Sequence, residues 1–309
     1  MENNWVSYKN GNYNVHLDLV SGTKIRENNL TFFKADRPEN MDIKITNKCN
    51  MGCAFCHENS TCDGKHSDAL NSKFLETLPE WTECALGGGN LLEYPDLVPL
   101  LYKMKNLHLI SNITVNQKHF MENLSLLREL SNQKLIYGLG ISLTNPYEEG
   151  FIAAVKSFPN AVIHVINGVV TLAQLSALGC KDLKILILGY KEVRRGVAYK
   201  ADVDHMVEFR KNRLYASLPF IAEHNWFKTI SFDNLALEQL EPKRFLSDKF
   251  YQTHNLGDDG LMGEQTSASY YVDLVENVFA RNSCDVNHRY PLENHTATEC
   301  YQLLRDNKI

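Results

Sequence analysis

Met41-Asp-Ile-Lys-Ile-Thr46-Asn-Lys-Cys49-Asn-Met-Gly-Cys53-Ala-Phe-Cys56 is the stretch from which the rest of the chain is read. Its first six residues alternate apolar and polar side chains, the period of a β-strand. Three cysteines follow with the spacing C-x3-C-x2-C. Thiolates this close on one loop suit an iron–sulfur cluster or another soft metal. A closed zinc site needs four ligands, and His57 or Cys62 stands near enough to be the fourth. With three thiolates alone, one iron of a cubane stays open to some other ligand.

Outward from this stretch the chain alternates strand and helix. Strands are expected at Glu83–Leu86, Leu109–Val115, Leu135–Leu143, Val162–Ile166, Leu183–Leu188 and Thr229–Asn234. Helices are expected at Tyr94–Leu107, Met121–Leu130, Glu148–Phe158, Leu172–Leu178 and Asp202–Leu214. Such alternation builds a parallel sheet with helices outside it. Six or seven repeats suit an α/β fold of partial (β/α)6 TIM-like barrel type, with chemistry at the C-terminal strand ends. The expected division is a β-hairpin preface over 1–40, the barrel over 41–240 and a C-terminal cap over 241–309. In the preface, Asn10-Gly11 between strand-like flanks signals a hairpin turn.

Composition bounds the function. The 309 residues are 44% hydrophobic and 22% charged, ordinary globular values that exclude disorder and fibrous structure. Lys plus Arg number 32 against 37 Asp plus Glu, a net charge of −5 that disfavours an extended nucleic-acid partner. No apolar run approaches a membrane span, and Met-Glu-Asn-Asn-Trp does not resemble a leader. The expected compartment is the reducing cytoplasm, where the eight cysteines serve as ligands, reactive groups or core residues. Cys84 and Cys180 are expected in the core.

The cysteine motif resembles that of the radical S-adenosylmethionine (SAM) enzyme superfamily. Its position after the first strand of a β-α series is the same. Phe55 fills the aromatic slot before the third cysteine, beside the adenine in that family. Gly87-Gly88-Gly89-Asn90 ends the second strand, where the family's glycine segment meets the SAM amine; Asn90 stands where that segment carries an acidic residue. The resemblance covers about residues 41–235. It implies one [4Fe-4S] cluster on Cys49, Cys53 and Cys56, with SAM on the open iron. It implies reductive cleavage to a 5′-deoxyadenosyl radical that abstracts hydrogen from a substrate, in an oxygen-sensitive enzyme supplied with electrons by a flavodoxin or ferredoxin.

Further candidates lie at strand ends. Thr114 and Asn116, then Ser142 and Asn145, stand where SAM ribose or carboxylate contacts occur in the family; loop capping is the plain alternative. His164 and Asn167 line the substrate cavity or fill the core. Tyr190, Lys191, Arg194 and Arg195 follow the sixth strand, and an Arg there, Arg194 first, pairs with the SAM carboxylate or an anionic substrate. Ser231, Asp233 and Asn234 end the last strand, where Asp233 binds substrate or caps a helix. The polar loop after Cys56, from His57 and Glu58 through Lys65 and His66, shields the cluster or meets substrate. Asp258 and Asp259 lie in a turn. Cys284 is a candidate hydrogen-atom donor to a substrate radical. No second close cysteine set supports an auxiliary cluster. The substrate is expected to be a small molecule, a nucleotide or a short peptide. The competing class is a non-catalytic metalloprotein, either a zinc-stabilised binding module or an iron–sulfur sensor or electron carrier.

Overall fold

The computed structural model describes residues 4–30, 32–255 and 268–309. The turn at Asp258 and Asp259 lies outside the described residues. Strands β1 (Trp5–Asn10), β2 (Tyr13–Asp18) and β3 (Lys24–Glu27) form an antiparallel sheet in that order. The hairpin turn falls one residue later than expected. Asn10 pairs with Tyr13, so Gly11 and Asn12 are the loop. Asn10 is held in the strand because its buried amide accepts from Asp36 N and Arg37 N and donates to Arg37 O. Gly11 takes φ +56°, and a Cβ there would meet Lys34 O at 1.8 Å.

The main sheet carries β4 (Asn40–Thr46), β5 (Glu83–Gly88), β6 (Ile110–Asn116), β7 (Gly138–Ser142), β8 (Ala161–Ile166), β9 (Lys184–Leu188) and β10 (Thr229–Phe232). Each pairs in parallel with the next in sequence. The strand order never reverses, unlike a doubly wound sheet. Strand β10 is a seventh parallel strand beyond the six-fold core. The first connection contains only two short 3-10 turns, Ala69–Asn71 and Phe74–Thr77. The later ones carry α1 (Leu97–Asn106), α2 (Gln117–Glu122) with α3 (Leu124–Asn132), α4 (Phe151–Lys156), α5 (Leu172–Leu178) and α6 (Arg195–Glu223); α7 (Asn234–Leu240) follows β10.

Burial alternates along these strands. Met41, Ile43, Ile45, Ile113, Val115, Ile141, Ile163, Val165, Ile185 and Ile187 are buried in one core with Leu100, Phe120, Leu127, Phe151, Leu178 and Leu218 of the helices. Many alternate positions are polar or small, among them Asp42, Lys44, Ala85, Gly87, Asn112, Thr114, Gly138, Gly140 and His164, whereas Val162, Ile166, Leu186 and Leu188 on β8 and β9 are apolar. A parallel sheet covered on both faces has continuous apolar strands. Here helices cover one face only, and the other lines the inside of a partial barrel.

Strands β4 and β10 do not pair. Strand β11 (Ser269–Asp273) adds in parallel to the free edge of β4, and β12 (Val278–Ala280) and β13 (Tyr290–Pro291) extend it antiparallel. Two further helices are α8 (Asp248–Asn255) and α9 (Ala297–Arg305). Residues 269–291 therefore continue the sheet itself. Helix α6 is far longer than its expected core of 202–214, running 29 residues across a kink at Val203. Its hydrophobic stripe is interrupted there, which hides the full length from a periodicity reading. No helix among the described residues is long and apolar enough to cross a membrane.

Candidate active site

The three cysteines sit on the loop after β4, at the C-terminal end of the barrel strands. Backbone bonds fold this loop on itself: Cys49 N donates to Thr61 O at 2.8 Å and Asn47 N to Lys65 O at 2.7 Å. A tight turn, Cys56 N to Cys53 O at 3.2 Å, brings the last two cysteines together. All three are partly accessible and free of disulfides. Burial raises the Cys53 thiol pKa, and the neighbouring Cys56 and Cys49 raise it further. Burial also raises that of Cys49, with Cys56 adding to it. The three thiols therefore share one electrostatic neighbourhood. Among the described residues no three His, Cys, Asp or Glu side chains are set to hold a single metal ion. The thiolates of a cubane each bind a different iron, so they must ring a common space rather than converge on a point. A clustered, solvent-reachable, all-thiol donor set fits that group. Cys62 is exposed, as is Cys180 just after α5; Cys84 and Cys300 are buried. The expected core position of Cys180 does not hold, because it takes a left-handed φ of +56° in the turn after α5.

The glycine segment divides its work. A Cβ on Gly88 would meet Thr46 O at 2.1 Å, and one on Gly89 would meet Lys48 O at 2.0 Å. Gly89 N and Asn90 N donate to the same two carbonyls, each at 2.8 Å. These glycines let β5 lie directly against the cysteine loop. Gly87 faces open space, with nothing within 4 Å of a Cβ built on it. Asn90 is buried; its carbonyl accepts from Leu92 N at 3.2 Å and its amide donates to Glu93 Oε1 at 2.9 Å. Glu93 is not among the site residues expected from the sequence. Its charge bears on Cys49, His66 and His119. The signal was an Asn three residues ahead of a Glu at a helical start, a capping pattern.

Phe55 packs edge-on to Tyr199 of α6, with ring centroids 5.6 Å apart. His119 of α2 meets Asn50 Oδ1 at 2.9 Å, tying the cysteine loop to the β6 end. Asn116 caps α2, accepting from Lys118 N at 2.9 Å. Asn145 accepts from Tyr147 N at 3.1 Å, and Gln117 organises its turn by accepting from Thr144 N and Asn145 N. Ser142 ends β7 beside His164. Asn167 is buried and donates to Gln239 at 3.0 Å, a tie between β8 and α7. Asp233 caps α7, accepting from Ala236 N at 2.7 Å and Gly189 N at 2.9 Å.

The basic pair after β9 is divided between two tasks. Arg194 donates to His57 O at 2.9 Å and to Glu58 Oε2 at 3.3 Å. Arg195 donates to Ser60 O at 2.6 Å, its Nε is buried with no hydrogen-bond partner among the described residues, and its charge favours the thiolates of Cys49 and Cys53. Glu58 lies among Lys44 Nζ at 3.2 Å, Arg194, His57 Nε2 at 3.3 Å and the Tyr271 hydroxyl. Burial would raise its pKa, but the His57 hydrogen bond and the surrounding positive charge hold it well below the usual carboxylate range. Lys191 donates to Ser283 Oγ at 3.0 Å and approaches His57 Nε2 at 3.3 Å. Cys284, next along, is kept protonated by burial, partly offset by Lys191. The C-terminal segment thus meets the cysteine loop across the barrel mouth. Two surface depressions lie elsewhere: about 480 Å³ around Tyr147 and Lys181, and about 260 Å³ between α5 and α6.

No family profile matches the chain. No curated protein sequence matches it either. Solved structures do. The Streptococcus suis protein SuiB bound to S-adenosylmethionine superposes with a TM-score of 0.59 at 11% identity, covering 99% of this chain and 90% of that one. SuiB bound to its precursor peptide SuiA gives 0.58 at 11% identity, over 98% and 88%. At this identity the likeness is one of fold. The chain shares the fold of SuiB over nearly its whole length.

Proposed function

We propose that the protein is a radical SAM enzyme carrying one [4Fe-4S] cluster on Cys49, Cys53 and Cys56. The observation that carries this reading is the three-thiol loop at the barrel mouth, locked against the β5 glycines. When bound, cluster and SAM together supply a 5′-deoxyadenosyl radical for hydrogen abstraction. The chain's own part is positional. Gly88 and Gly89 set the loop against β5. Gly87 leaves room for a ligand, and Glu93, held by Asn90, offers a carboxylate to an amine there. Phe55 and Tyr199 present an aromatic wall, with Asn116 and Ser142 at neighbouring strand ends. Arg194 braces the loop through Glu58, and Arg195 places a cation beside the thiols.

A short peptide is the favoured substrate class, because SuiB, with the same fold, binds a precursor peptide. Electrons would come from a flavodoxin- or ferredoxin-like donor, in a reducing cytoplasm. The test is anaerobic reconstitution with iron and sulfide, reduction with dithionite, addition of SAM and chromatography for 5′-deoxyadenosine. Its formation, lost in Cys53→Ala, supports the enzyme. A colourless protein that retains zinc and no iron would sink it.

A further inference from the structure

Helix α6 carries two stripes. Val207, Leu214, Leu218 and Ile221 are buried against the rest of the fold. Met206, Phe209, Arg213, Ala216 and Phe220 recur at intervals of three and four residues, so they share a second face. That face is turned to solvent. Met206 is 46% exposed, Phe209 56% and Phe220 51%, and Ala216 is exposed with them. Alternating intervals of three and four are those of the a and d positions of a helix packed on another helix.

The first part of this face is a wall of the hollow between α5 and α6. Leu172 and Leu175 of α5 line it together with Met206, Phe209, Arg210 and Arg213 of α6, around about 260 Å³. That is less than the ordinary small-molecule cleft of about 300–1,000 Å³, and it suits the anchoring side chains of a partner. Its charge is unspent. Neither Arg210 nor Arg213 forms an ion pair among the described residues. Arg210 donates to the Tyr199 hydroxyl at 3.4 Å, and its buried Nε has no hydrogen-bond partner among the described residues. Arg213 lies over the Phe209 ring at 5.8 Å. The neighbouring carboxylate of Glu208 is held by Lys200 and Lys211. The face is thus positive on a chain whose net charge is −5. Two copies of α6 packed together would set arginines against arginines, which disfavours a second copy as the occupant. An acidic helix supplies both missing parts, apolar anchors for the stripe and carboxylates for the guanidiniums.

We propose that α5 and α6 form a docking groove for an acidic amphipathic helix of a partner protein. Its apolar side chains enter the hollow and cover the stripe, and its Asp and Glu residues pair with Arg210 and Arg213. The stripe runs about 20 Å, so about fifteen residues of partner helix cover it. Tyr199, which Arg210 bonds, packs on Phe55, so the groove adjoins the aromatic wall of the candidate site.

The test uses a fluorescein-labelled synthetic helix of about fifteen residues, with leucine at a and d and glutamate on the flanks, and an analogue with lysine for glutamate. Fluorescence anisotropy with the full chain should show saturable binding of the glutamate peptide that weakens with added salt. The lysine analogue should bind at least about tenfold more weakly. Phe209→Gln and Arg213→Glu should each weaken the glutamate peptide about tenfold or more, with the circular dichroism and thermal stability of wild type. No saturable binding, equal binding of the two peptides, or binding unchanged in either variant overturns the proposal. So does a dimer in sedimentation velocity that Phe209→Gln dissolves, because a second copy then covers the face. None of these measurements needs cluster or SAM, so the enzyme reading stands or falls separately, on iron content and 5′-deoxyadenosine.

Discussion

The Tyr271 hydroxyl donates to the Glu58 carboxylate at 3.2 Å, joining the strand that extends the sheet's open edge to the loop that carries the cysteines. Residues far apart in sequence are thereby fastened at one buried charge. Lys44 and Arg194 converge on the same carboxylate from β4 and from the turn before α6.

Glu58→Gln removes the charge, so that Arg194 loses its carboxylate and Lys44 keeps that of Asp273 alone. Breaking a buried ion pair from one side costs about 3–5 kcal/mol. The Tm of the variant should fall by many degrees, whereas Tyr271→Phe, which removes one hydrogen bond, should cost about 1–2 kcal/mol. Thermal unfolding followed by circular dichroism checks both, and equal effects would contradict the hub.

Acid should release the same device. The Glu58 pKa is lower folded than unfolded, so its contribution is present above the ordinary value of 4.5 and is lost as pH falls below it. Glu58→Gln should therefore flatten the acid limb of the stability–pH curve below pH 4.5.

His164 acts in a neighbouring window. Burial lowers its pKa from 6.5 to about 4. The unfolded chain takes up the proton first, so stability is present above 6.5 and drains away between 6.5 and about 4. The loss is on the order of 3 kcal/mol. His164→Gln should remove this slope in denaturant titrations across the same pH range.

Gly89→Ala places a methyl about where Lys48 O now lies, a 2.0 Å approach. The cysteine loop must move off β5. Iron bound after reconstitution should drop sharply while the circular dichroism spectrum stays that of wild type. Gly87→Ala, with open space before it, should retain iron but weaken SAM binding.

Arg195→Gln takes a cation from beside Cys49 and Cys53. A less positive surrounding disfavours adding an electron to a cluster. The reduction midpoint, read by electron paramagnetic resonance in a potentiometric titration, should move to more negative values with iron content unchanged. An unchanged midpoint would reduce Arg195 to a loop brace.

Much of the fold was legible because it rests on local periodicity. Apolar residues alternating along β4 to β9, separated by helical stretches, announce a one-sided parallel sheet. The hairpin slipped by one residue because a tertiary bond network captured Asn10. The full extent of α6 was hidden by its kink, and the sheet role of residues 269–291 by the long separation in sequence between β11 and β4, the strand it extends. Among site residues, the three cysteines declared themselves through spacing. Arg194 and Asn90 were drawn to the site by position, yet the fold occupies both with bonds to Glu58, His57 and Glu93.

The sequence by itself determined the cysteine loop and the strand–helix rhythm, since ligand spacing and hydrophobic period are written within a few residues of each other. Only the tertiary structure decided which polar side chains remain free. Whether Lys44, Glu58, Arg194 or Arg195 keeps an unspent bond depends on partners as remote as Tyr271 and Asp273, and burial and pairing are properties of the folded chain.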